Sequence, residues 1–174
     1  MRIDVLLTII GATIHIYAYY LYNRSLLNKT SDPNIATWIL WVFLGILNCA
    51  SYFSMSRDFL KSALTILSLT ARVVTFGFVI TKCKWKKFTI PEYAICVICI
   101  ISGIVWYIFQ RANYANLILQ IAYAISIIPT ILHVLKDRKN EKFLPWFLWS
   151  CGHTLAIAVI FIRWAGRYEE LAFS

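Results

Sequence analysis

A helix that crosses a bilayer needs about 20 consecutive, mostly apolar residues. This chain offers six such stretches, at residues 4–22, 35–55, 59–81, 91–110, 114–135 and 144–163, with only short polar loops between them. Spanning segments must satisfy their backbone polar groups internally, which leaves helices or a closed barrel. Stretches this long specify helices. The expected fold is an all-α membrane protein with six transmembrane helices in one compact unit. Composition agrees: 60% of residues are hydrophobic and 14% charged, against about 45–50% and about 25% in soluble domains.

The formal net charge of +9 over 174 residues raises the question of nucleic acid, and its placement answers it. The first, third and fifth loops hold Arg24, Lys29, Lys82, Lys84, Lys86, Lys87, Lys136, Arg138, Lys139 and Lys142. The opposite side holds Arg2, Arg57, Lys61, Arg111, Arg163 and Arg167. Ten against six puts the first set in the cytoplasm and the N-terminus outside, because cytoplasmic loops retain Lys and Arg. The charge therefore reads as topology, in a plasma membrane or bacterial inner membrane, and not as a nucleic-acid footprint. The opening Met-Arg-Ile-Asp lacks the basic start of a cleaved signal peptide, so the first helix is expected to remain.

One pattern occurs twice. Trp-x-Leu-Trp stands at 38–41 and again at 146–149, each time opening an apolar helix behind a charged loop and a proline, Pro33 or Pro145. Internal repeats in an apolar chain point to transporter architectures, whose halves enclose a site near the bilayer midplane. Steps of three and four residues then pick out polar faces. The first helix aligns Thr8, Gly11, His15, Tyr19 and Tyr22; the second aligns Trp38, Trp41, Gly45, Asn48 and Tyr52. Trp38, near a helix end, is expected in the interfacial aromatic belt. Asn48 lies deeper and needs a partner, either another helix or a ligand.

The third helix carries Thr65, Ser68, Arg72 and Thr75 on one face. Arg72 falls near the bilayer centre, where an arginine costs about 2.5–3.5 kcal/mol on insertion scales. Asp4, Asp58 and Glu92 all lie at helix ends, so no carboxylate sits at its level. Arg72 either clamps backbone carbonyls together with Asn48 or Gln120, or faces a substrate. The fifth helix aligns Asn116, Gln120, Tyr123 and Thr130, with Pro129 as a candidate hinge because proline removes a helix hydrogen bond. The sixth aligns Trp146, Trp149, His153 and Ala156. The candidate substrate-binding set is Arg72, Asn48, Gln120, Trp41, Trp149, His153 and Ser68.

Signals for other chemistry are weak. Cys96-x-x-Cys99 has a redox or metal spacing but lies inside an apolar helix without a second pair. His15, His133 and His153 form no ligand-spaced pair, and there is no Gly-rich phosphate loop. No catalytic residue, cofactor or metal is expected, and the chain reads as a non-enzyme.

Ile128-Pro129-Thr130, the basic run from Lys136 to Lys142 and Leu144-Pro145-Trp146, with Leu47-Asn48-Cys49 in the earlier repeat, resemble the PQ-loop superfamily, SWEET-type sugar transporters in particular. The resemblance implies a first three-helix bundle over 1–82, a basic loop and linker helix over 83–112, and a second bundle over 113–174. It also implies alternating access about a central site. The chain departs from the pattern in three places. Tyr17-Ala18-Tyr19-Tyr20 stands where the first helix would carry proline. Ser68, Thr70 and Arg72 stand where a binding asparagine is expected. The sequence ends at Tyr168–Ser174, where a seventh helix would begin, so the second repeat is expected to be incomplete. The implied function is movement of a small polar solute, anionic if Arg72 sets its charge. The alternative is a receptor, sorting protein or interaction subunit on the same scaffold. Expected partners are the solute and the bilayer, with homo-oligomerisation left open.

Overall fold

The computed structural model describes residues 2–85, 87–88, 90–109, 112–136, 142–164 and 166, apart from the side chains at 112, 127, 129, 130, 132–134 and 136. Six helices follow one another: α1 (Ile3–Leu27), α2 (Ile35–Ser56), α3 (Phe59–Lys82), α4 (Ile90–Phe109), α5 (Ala112–Lys136) and α6 (Phe143–Ile162). No strand occurs among the described residues. Each expected segment became a helix, with ends displaced by a few residues. Helices α1–α4 and α6 are each long and apolar enough to cross a membrane. Their outward faces carry Ile9, Ile16, Val73, Val74, Val97 and Ile100 exposed, an apolar shell that water would not tolerate on this scale. The chain is a multi-pass α-helical membrane protein.

Local chemistry sets the turns. Asn34 caps α2 by accepting from the Ala36 N–H at 3.1 Å, so that helix starts two residues after Pro33. Between α2 and α3 only two residues intervene. Arg57 takes a left-handed conformation, φ 48°, to end α2, and Asp58 caps α3 by accepting from the N–H groups of Leu60 and Lys61. That cap satisfies donors a helix start otherwise leaves orphaned.

Helix α3 packs against both α1 and α2, α1 faces α6, α2 faces α5, and α4 lies over α5 and the edge of α2. An apolar core of Leu40, Leu44, Ile95, Cys99, Leu119 and Ala122 joins α2, α4 and α5. Gly11 and Gly152 let α1 and α6 approach closely; a Cβ on Gly11 would sit 3.3 Å from that of Leu155. Small residues at such crossings are how membrane helices gain packing without a hydrophobic drive between them.

The two ends of the bundle are tied differently. At the end holding the α1 start, the α2–α3 turn and the α6 finish, Arg163 donates from Nε to Asp58 at 2.7 Å and from Nη1 to Asp4 at 2.7 Å. Arg2 adds a 2.9 Å contact to Asp4. Burial pushes the Asp58 carboxyl up, but the hydrogen bonds from Arg163 and the α3 start outweigh it and hold that group below the ordinary carboxylate value. At the opposite end, Glu92 of α4 is fully buried and accepts from Thr37 and Asn34 at the start of α2. Its carboxylate sits where the α2 dipole favours negative charge.

Candidate functional site

The polar stripes converge. A cavity of about 350 Å³ lies inside the bundle, walled by side chains of α1, α2, α3, α5 and α6. Arg72 of α3 forms one side. Its Nη1 donates to the Trp41 carbonyl at 2.9 Å and to the Tyr123 hydroxyl at 2.9 Å, and its Nη2 reaches Ser68 Oγ at 3.4 Å. Ser68 Oγ also lies 3.4 Å from the Tyr19 hydroxyl. None of these partners is a carboxylate. The guanidinium is thus held by neutral oxygen atoms from three helices, as a cation deep in a membrane protein must be if no acid is near. It clamps a backbone carbonyl, as one of the two sequence readings had it, but with Tyr123 and Ser68 in place of Asn48 or Gln120.

Gly45 makes that placement possible. A Cβ there would lie 2.9 Å from Arg72 Nη1 and 3.2 Å from Leu69 Cδ1. Glycine on the α2 stripe thus leaves room for the Arg72 guanidinium where it crosses from α3.

Asn48 found its partner in another helix. Asn116 donates to Asn48 Oδ1 at 2.9 Å and to Ser51 Oγ at 3.1 Å, and Gln120 donates to Asn48 Oδ1 at 3.3 Å. Asn48 and Gln120 both border the cavity, but these amides are engaged in holding α2 to α5. Buried amides arranged in this way fix a packing register more than they offer free acceptors.

The repeated tryptophans meet edge to face across the molecule. Trp38 and Trp146, each the fourth residue of its helix, belong to a closed circuit of five rings. Trp149 touches Trp146 with ring centroids 5.2 Å apart, Trp146 touches Trp41 at 5.9 Å, and Trp41 touches Trp38 at 5.4 Å. Tyr22 closes the circuit, 5.5 Å from Trp38 and 5.4 Å from Trp149. This aromatic collar borders the cavity at the end where α2 and α6 begin. The interfacial position expected for Trp38 is corrected: the residue is 2% exposed, because Tyr22 and Leu26 of α1 and Val79 of α3 pack in one cluster with it.

Several polar atoms around the cavity have no hydrogen-bond partner among the described residues. They include both ring nitrogens of His15, Nδ1 of His153, Oγ1 of Thr65 and the indole nitrogens of Trp41 and Trp149. His15 and His153 are not isolated as their sequence spacing suggested; their rings meet edge to face at 5.3 Å. Among the described residues no carboxylate lines this space, and no group of three His, Cys, Asp or Glu side chains could hold a metal ion.

The structure therefore brings Arg72, Asn48, Gln120, Trp41, Trp149, His153 and Ser68 to one cavity. It adds Tyr19, His15, Trp38, Thr65, Tyr123 and Trp146 to the wall. The three- and four-residue steps of α1, α3 and α5 and the Trp-x-Leu-Trp repeat had already singled these residues out, but nothing local showed that their faces converge. Helix α5 is continuous through position 129 to Lys136. The Pro129 and Thr130 side chains, residues 137–141 of the basic loop, Arg111 and Tyr168–Ser174 lie outside the described residues. No protein-family model, curated protein or solved structure matches this chain.

Proposed function

We propose that this protein is a SWEET-like, PQ-loop-type membrane transporter that moves a small polar solute, anionic in character, through the cavity between its helix bundles. One observation carries the reading. A cavity of solute size lies at the centre of a membrane bundle, holding a guanidinium with no acid partner and several unpartnered polar atoms. A bundle whose polar stripes served only to join helices would satisfy those groups with one another, as Asn48, Asn116 and Gln120 do. The meeting of the two Trp-x-Leu-Trp motifs supports two facing halves around one site. Alternating access would proceed by rocking α1, α2 and α3 against α5 and α6, in a plasma or bacterial inner membrane with the N-terminus outside.

The test is flux. Purified protein in proteoliposomes is given labelled carboxylates, sugars and amino acids on one side, with empty liposomes as control. Saturable, counterflow-competent uptake of an organic anion supports the proposal. Uptake no faster than in empty liposomes across the whole panel, from protein shown to be folded, rejects it.

A further inference from the structure

Resting on the reading of this cavity as a solute site, we infer that its ligand class is a flat aromatic monocarboxylate, its carboxylate on Arg72 and its ring against the tryptophan collar. The chemistry of the wall selects that class in three steps.

The unpartnered groups are rich in obligate donors. An indole N–H can only donate, and those of Trp41 and Trp149 are buried without an acceptor among the described residues. Arg72 spends both Nη1 hydrogens on Trp41 and Tyr123 and makes one long contact from Nη2. His15 is 2% exposed with both ring nitrogens unmatched. The ligand must bring acceptors. A sugar brings hydroxyls that donate as well, and the amide oxygen of Asn48 is already taken by Asn116 and Gln120.

The positive charge is single. Arg72 is the one permanent cation among the described wall residues, so one carboxylate is matched, whereas a diphosphate or dicarboxylate would bury excess negative charge.

Ring surface dominates what remains. The collar presents Trp38, Trp41, Trp146 and Trp149 beside Tyr19. Aromatic pairs gain from offset or edge contacts that an aliphatic body of equal area does not make. An apolar cavity of about 150 Å³ already admits benzene. The 350 Å³ here accommodates one or two fused rings with their carboxylate.

Calorimetric titration of the full chain in detergent tests this with four probes: 2-naphthoate, benzoate, cyclohexanecarboxylate and the neutral 2-naphthamide. The expected result is measurable binding of 2-naphthoate, and of benzoate more weakly. Cyclohexanecarboxylate should bind several-fold more weakly than benzoate, and 2-naphthamide about tenfold or more below 2-naphthoate, the scale of one charge-assisted contact. Trp149→Phe keeps a ring and removes the N–H, so it should weaken the carboxylates more than the amide, whose neutral carbonyl is the poorer acceptor. Arg72→Lys keeps charge but loses the planar fork and should weaken all carboxylates. Equal affinity for cyclohexanecarboxylate and benzoate, or for amide and acid, overturns the proposal, as does no binding of any probe by folded protein. Flux is scored separately. Binding of 2-naphthoate without flux keeps the ligand class and rejects transport; flux of another solute without aromatic binding rejects the ligand class and keeps transport.

Discussion

Replacing Gly45 with alanine gives a test whose sign depends on the Arg72 geometry. In an ordinary helix interior, Gly→Ala stabilises by about 0.5–1 kcal/mol, because glycine loses more conformational freedom on folding. Here the added Cβ would fall 2.9 Å from Arg72 Nη1. The end of an arginine can swing aside at little steric cost, but this one donates two 2.9 Å hydrogen bonds from the crowded nitrogen. Bonds to charged groups contribute about 1.5–3 kcal/mol each, and rebonding to cavity water recovers part of that. The loss exceeds the propensity gain, and the expected balance is a net destabilisation of about 1–3 kcal/mol. Thermal unfolding in detergent, read by near-ultraviolet dichroism, should show Tm lower by several degrees. A double-mutant cycle completes the argument. In an Arg72→Gln background the nitrogen is gone, and Gly45→Ala should become neutral or stabilising. If Gly45→Ala raises Tm in the parent protein, or if its cost is the same in both backgrounds, the account of why α2 carries glycine there is wrong.

Other outcomes follow from the polar contacts. Asn48→Leu should cost about 1–3 kcal/mol by stranding the Asn116 amide, and Asn48→Leu with Asn116→Leu should cost less than the two singles added, measured by the same unfolding assay. Asp58 has its folded-state pKa depressed, so its contribution is present above the unfolded value of about 3.9 and lost as pH falls through the folded value. Tm should therefore drop on acidification below about pH 4, and the Asp58→Asn variant should start lower and lose less over that window. Arg57→Gly should raise Tm slightly, because a left-handed residue at φ 48° favours glycine. For orientation, cysteines placed singly at Lys84 and Arg57 in a cysteine-free background should differ in intact cells: an impermeant maleimide should modify position 57 and spare 84, and the reverse result inverts the topology.

Much of this molecule is written into its periodicities. Long apolar runs gave six helices within a few residues, because in lipid no other open structure satisfies the backbone. The Arg72 stripe was legible for the same reason: a cation at that depth, with Thr65, Ser68 and Thr75 beside it, has to face inward. What periodicity does not encode is which inward faces meet. Asn48 could have faced a ligand or a helix, and only the α2–α5 packing shows Asn116 and Gln120 opposite it. Trp38 looked interfacial because its distance from the helix end was readable, whereas Tyr22, Leu26 and Val79, which cluster with it, belong to two other helices. The Arg163 clasp was hidden for that reason too, since Asp4, Asp58 and Arg163 come from three separate segments.

The clasp and the collar give the bundle a direction that its repeated motif lacks. Both Trp-x-Leu-Trp copies lie at one end, and the indoles they bring together carry no ionisable group. The other end is joined through two carboxylates and one guanidinium. Acid in the compartment facing the clasp would loosen α1, the α2–α3 turn and α6 together, whereas at the collar end the carboxylate is that of Glu92, which ties α4 to the start of α2. A proton difference across the membrane therefore acts on the two ends unequally, and the molecule is vectorial in its chemistry even where its halves repeat.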